Sequence, residues 1–191
     1  MKTRVINESG FKEALFALGL SFGKTSEMEI RDFVPGNPVY DRMLKVAANL
    51  CTKDGGHNSF LELIYVWVEV DAPRYWHSER DRYRLSTQYS ESTMHTLNKR
   101  LLTQADFERH IDERILEVIN EKIAAKADIE TLKEHLPEGF LQRRVIVMNY
   151  KCLRNILLQR DGHRLRQWKE FADAVYGQLA TPQYLGIVNA N

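Results

Sequence analysis

Leu61-Glu62-Leu63-Ile64-Tyr65-Val66-Trp67-Val68-Glu69-Val70 is the stretch on which the fold turns. It is rich in β-branched and aromatic side chains and reads as a strand, the central one of a sheet. Asp71-Ala72-Pro73 follows, in the form of a helix start with proline in the first turn. The expected helix runs from about Arg74 to Arg84. Upstream, the glycine pair within Thr52 to Gly56 ends a short helix over Asp41 to Leu50. Asp32 to Tyr40 carries Pro35, Gly36 and Pro38 and reads as a loop. Phe11 to Leu20 reads as a short apolar helix.

Downstream, Leu85 to Thr96 (LSTQYSESTMHT) is crowded with hydroxyls and short of core residues. From Gln104 to Lys126 the residues Phe107, Ile111, Ile115, Ile119 and Ile123 recur every four positions, the pattern of an amphipathic helix. Leu136-Pro137-Glu138-Gly139 separates it from a second long helix expected over Val145 to Arg160. Trp168 to Tyr176 reads as a last helix. No repeat, low-complexity tract or linker interrupts the chain. The expectation is one α+β domain over residues 1–191, a mixed α/β fold that is mostly helical with a central sheet.

Lysine and arginine number 27 against 26 acidic residues, a net charge of +1. That balance argues against a general nucleic-acid coat or a membrane-surface protein, so neither partner is expected. At 43% hydrophobic and 28% charged, the chain falls with globular rather than disordered sequences. No run approaches the length of a membrane-spanning helix, and the charged N-terminus lacks the apolar core of a signal peptide. Cys51 and Cys152 are too few for a disulfide framework or an all-cysteine zinc site. A soluble protein of a reducing compartment, the cytoplasm, is expected.

Several stretches invite chemistry. Gly23-Lys24-Thr25-Ser26 lacks the glycine five positions before Gly23 that a P-loop needs, and no buried strand precedes it. Cys51 and Cys152 read as small buried hydrophobes rather than nucleophiles. The six histidines show no metal-ligand spacing, and His57, after two glycines, suits either a ligand contact or a loop cap. In Glu79 to His95, Arg82 and Arg84 are followed by Ser86, Thr87, Ser90, Ser92 and Thr93. Guanidinium forks beside several neutral donors are what a phosphate needs, though the same composition suits a solvated helix end. In Asn149 to Arg160, helical spacing puts Asn149, Leu153, Ile156 and Arg160 along one stripe, with Lys151 and Asn155 on the next. Glu138 to Glu170 holds eight Lys+Arg against three Asp+Glu, so this half is the candidate anion-binding face.

Together these two stretches resemble the flavin-dependent thymidylate synthases. That family's signature is Arg-His-Arg, two residues, Ser, four residues, Ser, one residue, Arg. Here it reads Arg82-Tyr83-Arg84, then Thr87, Ser92 and Met94. Gly56-His57 and Ala72-Pro73 fall at the family's positions. Leu136-Pro137 precedes a helix carrying Asn149, Lys151, Leu153, Asn155, Ile156, Leu157 and Arg160. His163 and Gln167-Trp168 continue a His-Ala-Gln-Trp run with a small insertion. The resemblance spans about Gly56 to Tyr176.

The resemblance implies reductive methylation of dUMP to dTMP, with 5,10-methylenetetrahydrofolate as carbon donor, NADPH as hydride source and bound FAD between them. It implies a homo-oligomer, a tetramer whose sites are built from several chains. FAD would be held by His57, Ser59, Arg82, Tyr83, Arg84, Asn149, Lys151 and Asn155. The pyrimidine deoxynucleotide would meet Glu79, Arg82, Ser90, Glu91, Ser92, Lys133 and Arg160. Arg160 would be the catalytic residue, stabilising the N3-deprotonated ring. Four positions depart from the pattern: Met94 replaces an arginine, Tyr83 the central histidine, Thr87 the first serine, and Glu79 a common glutamine. The lost arginine is worth about 1.5–3 kcal/mol if it gripped phosphate. A carboxylate at Glu79 suits a base edge with a donor, such as cytosine N4. Two other readings follow: a methyl- or hydroxymethyltransferase acting on another pyrimidine deoxynucleotide, and a non-catalytic flavin- or nucleotide-binding protein of the same fold. A third, a nucleic-acid binder using the basic Gln142 to Lys169 surface, predicts steep salt dependence and no cofactor.

Overall fold

The computed structural model describes residues 1–187. In chain order the elements are β1 (Lys2–Ser9), α1 (Phe11–Leu20), α2 (Pro38–Leu50), β2 (Tyr65–Pro73), α3 (Arg74–Arg80), β3 (Ser86–Ser90), α4 (Thr93–Thr96), α5 (Glu113–Ala124), α6 (Ile129–His135), β4 (Leu141–Asn149), α7 (Tyr150–Gln159) and α8 (Arg166–Tyr176). The strands form one antiparallel sheet in the order β1-β2-β4-β3, so β2 is an inner strand, as its composition predicts. Val66, Val68, Val70 and Ala72 are buried along one of its faces, the period of two that a half-covered sheet imposes.

The chain divides into two compact units. The first comprises Met1–Thr3, Glu69–Arg82 and Gln88–Ile146; the second comprises Arg4–Val68, Tyr83–Thr87 and the residues from Val147 onward. In the first unit a cluster of Leu97, Leu102, Phe107, Leu116, Ile119, Ile123, Leu132 and Leu136 is closed to solvent. In the second, Phe16, Phe33 and Tyr40 stack in sequence with ring centroids 5.4 and 4.9 Å apart. Trp168 packs edge-on against Phe171.

Helix starts follow the capping side chains. Asn37, Asp112, Asp128 and Asn149 each accept a backbone N–H from the first turn of α2, α5, α6 and α7. These caps explain where the sequence expectation fails. The helix expected over Gln104 to Lys126 begins only at Glu113, because Asp112 caps it there. Ahead of it, the Gln104 amide donates to Ile111 O and accepts from Ile111 N, which holds that segment out of a helix. The buried stripe is Leu116, Ile119 and Ile123, and Ile115 is exposed. The helix expected over Val145 to Arg160 is instead a strand followed by a helix. Val145, Ile146 and Val147 are β-branched and prefer the pleat, and Asn149 ends the strand by capping α7. The Arg74 to Arg84 helix stops at Arg80, whose guanidinium is held by Gln88. The first residues of the expected central strand, Leu61 to Leu63, belong to a 3-10 turn over Gly55–Leu63.

Candidate functional site

The geometry is organised around α7. Asn149 sits at its N-cap, its Oδ1 accepting Cys152 N–H at 2.8 Å, and Arg160 at its C-cap. The two therefore stand at opposite ends of a ten-residue helix. Arg160 Nε–H donates to Tyr83 Oη at 2.8 Å. Its guanidinium carbon lies 4.6 Å from the centre of the Trp168 ring and 5.4 Å from that of Tyr83. The two rings meet edge to face, centroids 6.1 Å apart. Contacts of a cation with two aromatic faces contribute about 0.5–2 kcal/mol each, more as water is excluded. The sequence reading assigns Tyr83 to the flavin and Arg160 to the pyrimidine, and the fold brings the two side chains into contact. The missing element in that reading is Trp168, whose signal was its tryptophan within the Gln167-Trp168 pair.

Arg160 and Trp168 line a cleft of about 1170 Å³, with His163, Arg164, Lys169 and Leu157. A cation held rigidly at such a cleft can stabilise negative charge developing on a bound ring. Arg84 is exposed, and its carbonyl accepts from Cys152 Sγ–H at 3.3 Å. Both cysteines are buried thiols, as expected, and burial raises the Cys51 pKa.

Around the start of α7, Lys151 Nζ donates to Glu62 Oε1 at 2.8 Å and to Gly55 O at 3.2 Å. Arg154, nearly buried, reaches Asp54 at 3.3 Å. His57, Ser59 and Asn155 are exposed. Between His57 and Ser59, Asn58 is buried, and its Oδ1 has no hydrogen-bond partner among the described residues. Lys151 and Arg84 are cations that suit a dinucleotide's phosphates, and Asn155 and Asn58 are amides that suit a heteroaromatic edge, so this donor set fits a flavin dinucleotide. The cap takes the Oδ1 of Asn149 and leaves its amide N–H groups as the atoms available to a ligand.

The remaining expected residues lie in the first unit. Arg82 is exposed and Glu79 half-buried on α3. Ser90 ends β3, Glu91 N–H donates to Arg143 O at 2.8 Å, and Ser92 occupies the N-cap position of α4. Lys133 Nζ lies 3.5 Å from Met94 Sδ, a cation against a thioether. The sequence reading missed a polar network in the same unit, of which only Arg80 is buried. Arg80 and Arg144 both donate to Gln88 Oε1, at 2.7 and 3.2 Å, and Arg144 grips Asp81 at 3.0 and 3.1 Å. Burial would raise the Asp81 pKa, but Arg144 outweighs it and the net shift is downward. His77 lies in the same unit, fully buried, and is pushed down to about 4 by desolvation and by Arg144.

No protein-family model matches the chain, and no curated protein matches it. Solved structures do. The flavin-dependent thymidylate synthase ThyX from Helicobacter pylori, complexed with FAD and dUMP, superposes with a TM-score of 0.79 at 17% identity, covering 97% of each chain. A second crystal structure of that enzyme with FAD and dUMP gives 0.78 at the same identity and coverage.

The fold is that of the flavin-dependent thymidylate synthases.

The UMP/dUMP methylase PolB from Streptomyces cacaoi, bound with 5-Br dUMP, shares it at a TM-score of 0.70 and 15% identity, over 97% of this chain and 92% of that one. The thymidylate synthase fold therefore accommodates the departures at Tyr83 and Met94, and its mixed α/β class is the one the sequence implies.

Proposed function

We propose that the chain is a flavin-dependent enzyme that methylates dUMP to dTMP, using 5,10-methylenetetrahydrofolate and NADPH. The observation that carries the reading is Arg160, a cation fixed by Tyr83 and Trp168 at a large cleft, in a chain with this fold. Bound FAD supplies the hydride relay between NADPH and the carbon unit. His57, Ser59, Arg82, Tyr83, Arg84, Asn149, Lys151 and Asn155 hold it. Arg84 and Lys151 offset the charge of its phosphates, and Asn149 donates through its amide N–H. Glu79, Arg82, Ser90, Glu91, Ser92 and Lys133 bind the nucleotide. Arg160 stabilises the deprotonated pyrimidine. The working form is a homotetramer in the cytoplasm, where Cys51 and Cys152 stay thiols.

The test is purification with visible flavin absorbance, then turnover with dUMP, methylenetetrahydrofolate and NADPH. Arg160→Ala should keep its flavin and lose about 10²–10³ in rate. Arg160→Lys keeps the charge but not the planar fork and should recover part of it. The double variant Arg82→Ala, Arg84→Ala should lose flavin. Stoichiometric flavin in that variant would refute the cofactor assignment, and a flavin-loaded parent without turnover would reduce the protein to a binding role.

A second reading is favoured by Met94, which sets a thioether where the family has a phosphate-gripping arginine, and by the Glu79 carboxylate. In it the substrate is another pyrimidine deoxynucleotide, and the product a methyl or hydroxymethyl base. Turnover with dCMP but not dUMP would select it.

A further inference from the structure

Resting on that reading of Arg160, we propose that Tyr83 is a positioning residue: a neutral acceptor that fixes the guanidinium plane without cancelling its charge. Arg160 leaves the end of α7 on a long side chain, and a cation there is otherwise drawn to the last carbonyls of the helix. Two contacts decide its direction instead. Trp168 is buried and gives the guanidinium a face at 4.6 Å. Tyr83 takes the Nε–H at 2.8 Å, so rotation about the last bonds of the side chain breaks a hydrogen bond. The Tyr83 backbone is itself tied, its carbonyl accepting Ser86 Oγ–H at 3.0 Å.

The chemistry of the acceptor matters. A carboxylate at this position would form an ion pair and neutralise the cation the site needs. An imidazole would accept only while deprotonated, and it titrates near pH 6.5. A phenol stays neutral to about pH 10 and accepts throughout the physiological range. Tyr83 therefore orients Arg160 without setting a counter-charge beside it. The cleft also holds His163, Arg164, Arg166 and Lys169 as titratable or cationic neighbours, and Asp161, Glu170 and Asp173 as anionic ones.

The experiment uses Tyr83→Phe, which keeps the ring and deletes only the acceptor. In ¹⁵N-labelled protein, the Arg160 Nε–H resonance is assigned by its loss in Arg160→Lys. We expect it to be protected from solvent exchange in the parent, and to shift and exchange faster in Tyr83→Phe. Turnover should fall about tenfold to a hundredfold through kcat, with little change in dUMP affinity, because misdirection of a catalytic group costs rate. In an Arg160→Ala background, Tyr83→Phe should change nothing further. An unchanged Nε–H signal in Tyr83→Phe, or an undiminished effect of that substitution when Arg160 is absent, would overturn the assignment. If the parent turns over no nucleotide, the proposed function fails while the resonance still decides the role of Tyr83.

Discussion

His77 shows what a single buried side chain commits this fold to. Its Nε2 lies 2.8 Å from Gln142 O, so Nε2 carries the proton and Nδ1 is left a lone pair with no hydrogen-bond partner among the described residues. Protonating Nδ1 would place a charge in a fully buried site beside the Arg144 and Arg80 guanidiniums, which the hydrogen bond to Gln142 and the Asp81 carboxylate only partly oppose. Desolvation first, then Arg144, pushes the pKa down to about 4. The unfolded chain takes this proton near pH 6.5, the folded one only near 4. Between those values the unfolded state binds more protons, so stability is lost as pH falls from about 6.5 to about 4 and is insensitive to this group above that window. The full effect amounts to roughly 3 kcal/mol at 1.36 kcal/mol per pKa unit. Urea unfolding at a series of pH values, parent against His77→Gln, isolates it. The parent-minus-variant difference should slope through this window; a flat difference would show that the acid sensitivity belongs to other groups.

At the scale of elements, α7 joins the two roles of Asn149. Asn149→Ala should cost about 1 kcal/mol through the lost cap, read as a lower melting temperature. Asn149→Asp restores an acceptor for Cys152 N–H and adds an anion at a helix N-terminus, so stability should return. Flavin retention should not return with it, because a carboxylate has no N–H to give. If both properties recover together, the residue is a cap alone. The same helix shows what the sequence made legible. β2 was readable because six of the ten residues from Leu61 to Val70 are β-branched or aromatic, and α1 because its apolar run is bounded. β4 was not, since Val145 to Val147 continue without a break into the apolar pattern of α7, and only the cap at Asn149 divides them. β1 and β3 carry too many polar residues to stand out: Lys2, Arg4, Asn7 and Ser9 in one, Ser86, Thr87, Gln88 and Ser90 in the other. In the site, Arg160 and Tyr83 were legible as residue types. Their contact spans 77 positions and depends on Trp168 turning inward from α8, which no local pattern encodes.

For the whole molecule, an apolar stripe such as the one on α5 is the kind of surface on which copies of a chain assemble. Leu116, Ile119 and Ile123 are instead closed within the first unit's own core, so that stripe is already used. The proposed tetramer would rest on other surface, and Leu85 is a candidate. It is 80% exposed and sits at φ 64°, in the left-handed region that costs a non-glycine residue roughly 1–2 kcal/mol. An isolated chain has nothing to gain from leucine at that position. Asparagine adopts the left-handed region more readily and is at home in water. Two outcomes are thus set against each other in one variant. If Leu85 packs against a second copy, Leu85→Asn should lower the oligomer's stability, and light scattering at micromolar concentration should show mass falling from about four times 22.3 kDa toward that of one chain. If Leu85 faces solvent in the working form, the same substitution should leave the mass unchanged and raise the melting temperature, since only the backbone strain is relieved. A parent that is itself a monomer with flavin bound would remove the tetramer from the proposed function altogether.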